Sequence, residues 1–162
     1  MDDTRAALHR SLQAQRDHVL GILEGLDAAA LSAPVLPTGW SCAGLVRHLA
    51  LDVERFWFRD VVAGEPAAAV AADAPSAWQL DPATPPESVL GLYRREAALA
   101  DAVITSTALD AAPTAWPADL FGSFRLADLQ AVLLHVITET ACHAGHLDAA
   151  RELVDGRTWL VL

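Results

Sequence analysis

The run His135-Val-Ile-Thr-Glu139-Thr-Ala-Cys-His143-Ala-Gly-His146 gathers metal-binding side chains into one short stretch. Glu139 and His143 stand four residues apart, with His135 one helical turn before them and His146 almost one turn after. At about 100° of rotation per residue, these positions share a stripe on a helix. Imidazole nitrogen and carboxylate oxygen together suit zinc, nickel, iron or manganese. Zinc heads that list. The order differs from the His-Glu-x-x-His peptidase motif, whose glutamate lies between its histidines.

Two ligands on one helix need a third from elsewhere. His48 is the best choice, because it is the only histidine of the second predicted helix and lies on its apolar side. The ligand set is then His48, Glu139 and His143, with remaining positions open to water or substrate. Such a centre suits Lewis-acid chemistry, or lowering the pKa of a bound water or thiol. His146 either completes the set or orients a ligand or substrate. His135 lies farther down the stripe and carries less weight. A metal-free hydrogen-bonded histidine network and plain surface placement are the competing readings. A glutamate buried beside histidines needs a partner, since an unpaired buried carboxylate is costly, and this favours the metal.

Four helical segments must position these groups. Residues 4–26 carry spaced leucine, valine and isoleucine without an interrupting proline. Pro34, Pro37 and Gly39 then break the pattern. A second helix is predicted over 41–62, with Ser41 as N-cap and Leu45, Leu49, Phe56 and Trp57 on its buried stripe. Residues 65–86 read as a long irregular connection that either holds a short helix or lies over the bundle as a lid. Thr84-Pro-Pro-Glu87 has capping-box spacing and opens a third helix running to 106. A second connection holds Pro113, Trp116, Pro117 and Gly122, and residues 121–124 could form a brief extended piece. The fourth helix spans about 125–153 and stops at Asp155-Gly156. The expected fold is all-α: an antiparallel four-helix bundle with long irregular connections, as one domain over residues 1–162.

Bulk properties narrow the partners. The chain has 162 residues, 53% of them hydrophobic, enough for one substantial core. Its 21 acidic and 11 basic residues give a formal net charge of -10 at pH 7. That balance argues against nucleic acid or an anionic membrane as partner. The opening Met-Asp-Asp-Thr-Arg does not read as a secretory signal, and no apolar run reaches bilayer length, so a cytoplasmic location is expected. The two cysteines, Cys42 and Cys142, are expected as reduced thiols. Cys142 adjoins His143 but points elsewhere on a helix, which makes it a buried structural residue rather than a nucleophile. Cys42 lies near a predicted helix N-terminus, where a thiolate is favoured, although a functional role carries little weight.

Two motifs carry a family resemblance. Gly44-Leu-Val-Arg-His48-Leu-Ala, followed by Glu54-Arg-Phe-Trp-Phe58, resembles the second-helix motif of the DinB-like superfamily. Glu139-Thr-Ala-Cys-His143-Ala-Gly-His146 resembles the metal motif of its last long helix. The likeness is strongest to the actinobacterial mini-circle protein group, related to mycothiol-dependent transferases and to the N-terminal domain of mycothiol-dependent maleylpyruvate isomerase. The resemblance implies metal-ligand roles for His48, Glu139 and His143. Many relatives carry histidine at the Glu139 position and glutamine at the His146 position.

The leading functional expectation is a metal-dependent thiol S-transferase. By resemblance, mycothiol or another low-molecular-weight thiol attacks an electrophilic small molecule. His146 or Asp52, which lies one turn after His48, would assist as a polar neighbour of the ligands. An exposed aspartate or a helix salt bridge is an equal reading for Asp52. Trp40 and Trp116 could line a pocket, Trp57 belongs in the core, and Trp159 packs the C-terminal tail onto the bundle. The family likeness also implies a homodimer. A metal-dependent hydrolase and a noncatalytic metal-dependent binding or stress-response protein are the alternatives.

Overall fold

Three short polar side chains set where helices begin. Asp27 accepts from the Ala30 N–H at 2.8 Å, Ser41 from Gly44 at 3.1 Å and Asp128 from Ala131 at 2.9 Å. Each bond satisfies a donor that a helix N-terminus otherwise leaves without an acceptor. The computed structural model describes residues 3–66, 78–81 and 83–159. Its helices are α1 (Asp3–Ile22), α2 (Ala28–Ser32), α3 (Cys42–His48), α4 (Ser88–Ser106), α5 (Ala118–Phe121) and α6 (Leu129–Asp155). The helix after α3 continues without a break as wider π-type turns over Leu49–Val62. No strand forms among the described residues, and the fold is all-α as expected.

The π segment has a visible sequence cause. Its buried residues come in pairs: Leu49 and Ala50, Val53 and Glu54, Trp57 and Phe58, Val61 and Val62. A strict four-residue repeat drifts around an α-helix by about 40° per repeat, because the α-helix turns once in 3.6 residues. A wider turn keeps those pairs against one neighbour. The bond from Ala63 N–H to the Phe58 carbonyl, 2.9 Å, spans five residues and marks this winding at the segment's end.

Packing brings α1 against α6 and α4 against the π segment, while α3 touches α2, α4 and α6. Leu12, Val19 and Ile22 from α1 join Leu45, Leu49, Phe58, Tyr93, Ile104, Leu133 and Leu147 in one apolar core. A charged cluster runs through it. Arg16 grips both Glu54 carboxylate oxygens at 2.6 Å and reaches Asp101 at 2.6 Å. His9 and Gln13 complete the shell around Asp101, each at 2.8 Å. Arg16 is 2% exposed and Glu54 0%, so this pair ties α1, the π segment and α4 together inside the core. Burial pushes the Glu54 carboxyl up, and the Arg16 fork pulls it back. Burial also opposes the Arg16 charge, but its bonds to Glu54 and Asp101 outweigh that and raise its pKa.

Several boundaries differ from expectation. The first helix stops at Ile22; Gly25, at φ 83°, turns the chain, and a short α2 that was not expected forms just before the break at Pro34. The Thr84/Glu87 capping box does not form. Thr84 donates its N–H to Asp81 at 2.8 Å, and both prolines sit in i→i+3 turns before α4 starts at Ser88. Phe121 ends a short helix instead of opening an extended piece, and Gly122 follows at φ 57°. The last helix begins at Leu129, where Asp128 supplies the cap, and ends at Gly156 with φ 77°, as Asp155-Gly156 predicts. Trp159 stacks on His18 at 5.2 Å, which anchors the tail. Most of the 65–86 connection, residues 67–77 and 82, lies outside the described residues. Among the described residues no helix is long and apolar enough to cross a membrane.

Candidate metal centre

His48 sits where α winding gives way to π winding. Its Nδ1 lies 2.9 Å from Asp52 Oδ2, one turn later on the same strip. An ionised carboxylate there keeps the ring proton on Nδ1, which leaves the Nε2 lone pair free. That Nε2 is buried and has no hydrogen-bond partner among the described residues. Facing it, α6 supplies Glu139 and His143, whose Oε1 and Nε2 are 3.3 Å apart. The His48 and His143 rings meet edge to face at 5.1 Å. One donor atom from each of His48, Glu139 and His143 falls within 4.8 Å of the others.

A divalent ion fits this donor set. A buried ring nitrogen without a partner is uncommon, and here it faces a carboxylate and a second imidazole. Burial, and then the neighbouring His48, push the His143 pKa below the ordinary imidazole value; Glu139 pulls the other way but does not win. His143 is therefore neutral at pH 7, the form that donates to a metal. Asp52 orients the His48 ring, and its side chain is 50% exposed, so it can be removed without opening the core. Asp52→Ala is expected to lower metal affinity by about 10–100-fold with little change in unfolding. A metal titration of both proteins, beside their thermal melts, checks this.

Of the other expected site residues, His146 is exposed and contacts His143 from the far side, Nδ1 to Nδ1 at 3.4 Å. Trp40 leans on His146 at 6.3 Å and lines a separate cleft of about 320 Å³ with Trp78. Trp116 packs behind the site, against Trp57 at 6.0 Å and Phe121 at 5.7 Å. Cys142 is exposed instead of buried, because it falls on the solvent side of α6. Cys42 is buried, and burial pushes its thiol up, so the helix N-terminus does not activate it.

One residue beside the site has no counterpart in the sequence analysis. Trp78 stacks on His48 at 4.2 Å and meets His143 edge-on at 5.5 Å, roofing both imidazoles. Its signal was indirect: Gly44 lies one turn before His48, and a Cβ there would run into the Trp78 carbonyl oxygen. Gly44→Ala must move the Trp78 backbone; a cost of about 1–3 kcal/mol and a changed Trp emission are expected in urea unfolding. His135, given less weight from its place on the stripe, meets Trp57 at 4.6 Å in the wall of a cleft that also reaches His48, Asp52 and Glu139.

No curated protein and no solved structure matches the chain. A family model described as Mycothiol-S-transferase matches residues 7–156, which span both ligand-bearing helices and nearly the whole fold. The chain belongs to the mycothiol-S-transferase family.

Proposed function

We propose that this protein is a metal-dependent S-transferase that joins mycothiol, or another low-molecular-weight thiol, to an electrophilic small molecule. His48, Glu139 and His143 hold the metal, and zinc best suits two imidazoles with one carboxylate. The buried, unpartnered His48 Nε2 carries this reading. Family membership supplies the thiol.

A bound divalent ion would act as a Lewis acid that favours the thiolate of a coordinated thiol near neutral pH. The chain's own residues prepare that place. Asp52 holds the His48 proton on Nδ1 and so fixes the ring. Trp78 covers both imidazoles and keeps bulk water from one face of the site. His146 holds the other nitrogen of His143. In the overall reaction the thiol sulfur forms a bond to electrophilic carbon, the leaving group departs with its electron pair, and the thiol proton passes to solvent. Such a thiol donor must be kept reduced, which agrees with a cytoplasmic setting.

The test is turnover with zinc-loaded protein, mycothiol and an alkyl halide, followed by thioether formation. Metal-dependent thioether formation is the expected result. Halide hydrolysis without thiol consumption would support the hydrolase alternative instead.

A further inference from the structure

The cleft beside the metal ligands has a volume of about 460 Å³ and lies between the π segment, α5 and α6. That is the size range of small-molecule sites. One end holds His48, Asp52 and Glu139; the rest is walled by Phe56, Trp57 and Phe121. Trp57 and Phe121 stack at 5.4 Å with planes 17° apart, and Phe56 stands edge-on to Trp57 at 5.1 Å. Leu120, at the rim, is 67% exposed and extends the apolar wall outward. His135 is the one polar side chain of the aromatic part. It makes ring contacts with Trp57 and Phe124 but no hydrogen bond among the described residues.

We infer that this cleft is the electrophile site, and that it selects an electrophile bearing an aromatic ring, with His135 as the hydrogen-bond donor to a carbonyl beside the reacting carbon. The inference rests on the transferase reading above. Aromatic walls reward a flat apolar ring by burial and by offset or edge-on contacts. A lone imidazole N–H among them can serve a carbonyl oxygen, and it gains strength from the apolar surroundings. Because Glu139 and His48 line the same cleft, a ring held there leaves its reactive carbon beside the metal ligands. His135 is then a specificity-determining residue, one turn from Glu139.

The test pairs two bromoketones that undergo the same displacement, phenacyl bromide and bromoacetone, with mycothiol and the zinc-loaded full chain, each rate taken relative to its uncatalysed reaction with mycothiol. In each, the sulfur–carbon bond forms, the carbon–bromine bond breaks, bromide leaves with the electron pair and the thiol proton goes to solvent. The expected result is a kcat/KM at least about tenfold higher for phenacyl bromide, lost in Phe121→Ala. His135→Leu is expected to lower the ratio of kcat/KM for phenacyl bromide to that for benzyl bromide, which lacks the carbonyl, about tenfold, with partial rescue of that ratio by His135→Gln. Equal use of both bromoketones, with normal metal-dependent transfer, would overturn the aromatic site and leave the transferase reading standing. Binding of unreactive acetophenone, followed by NMR of the Trp57 indole, separates the two ideas when no turnover occurs. Acetophenone binding that Phe121→Ala abolishes would support the site and sink the transferase reading; absence of binding would overturn the site as well.

Discussion

Glu54→Ala should destabilise the fold by about 3–5 kcal/mol. The reason is the partner left behind. Arg16 is 2% exposed and spends three N–H groups on Glu54 and Asp101. Without Glu54, the guanidinium keeps only Asp101, which is itself 31% exposed in its side chain. A buried arginine that loses its two-pronged acceptor must draw in water or move α1 away from the π segment. The double change Arg16→Met with Glu54→Leu is expected to recover most of the loss, because apolar side chains of similar volume avoid desolvating two charges. Urea unfolding of the metal-free proteins measures both, which separates the core from the metal centre. A Glu54→Ala variant within about 1 kcal/mol of the parent would mean that the cluster is already well hydrated.

The second large effect concerns function. Removing one imidazole, by His48→Ala or His143→Ala, should weaken metal binding by more than about 100-fold, beyond the range seen when only an orienting neighbour is lost. Thiol transfer should fall with it, and added metal should not restore it at ordinary concentrations. The two variants are expected to differ in stability. His143 is buried in the body of α6, and its loss leaves a gap between Trp78, His48 and Glu139. His48→Ala gives up its stack on Trp78 but also removes a buried nitrogen without a partner, so the metal-free form should lose less. A variant that keeps its fold and loses its metal is the informative one, and His48→Ala is that variant.

The clustering of Glu139 with His143 was legible because i, i+4 spacing on a helix is local. Glu139 and His143 needed only the periodicity of α6 to share a face, and Ser41 marked the start of the helix that carries His48. The Arg16–Glu54 pair was not legible: residues 38 positions apart meet only through packing, and neither has a spacing signal. The change to π winding after His48 was written in the four-residue pairing of Leu49 to Val62, but a scan for α-helical periodicity absorbs it. Trp78 and the aromatic cleft depend on where connections cross the bundle. Short-range pattern does not encode that path, although Gly44 and the cluster of Trp116, Phe121 and Phe124 hint at it.

The most direct test of the central claim is metal content. The protein should be purified without an engineered metal-binding tag, and its bound metals measured by mass spectrometry beside His48→Ala, Glu139→Gln and His143→Ala. About one divalent ion per chain in the parent, with clear loss in the three variants, is the result predicted by a site built on donors within 4.8 Å of one another. Unchanged occupancy in all three would contradict it.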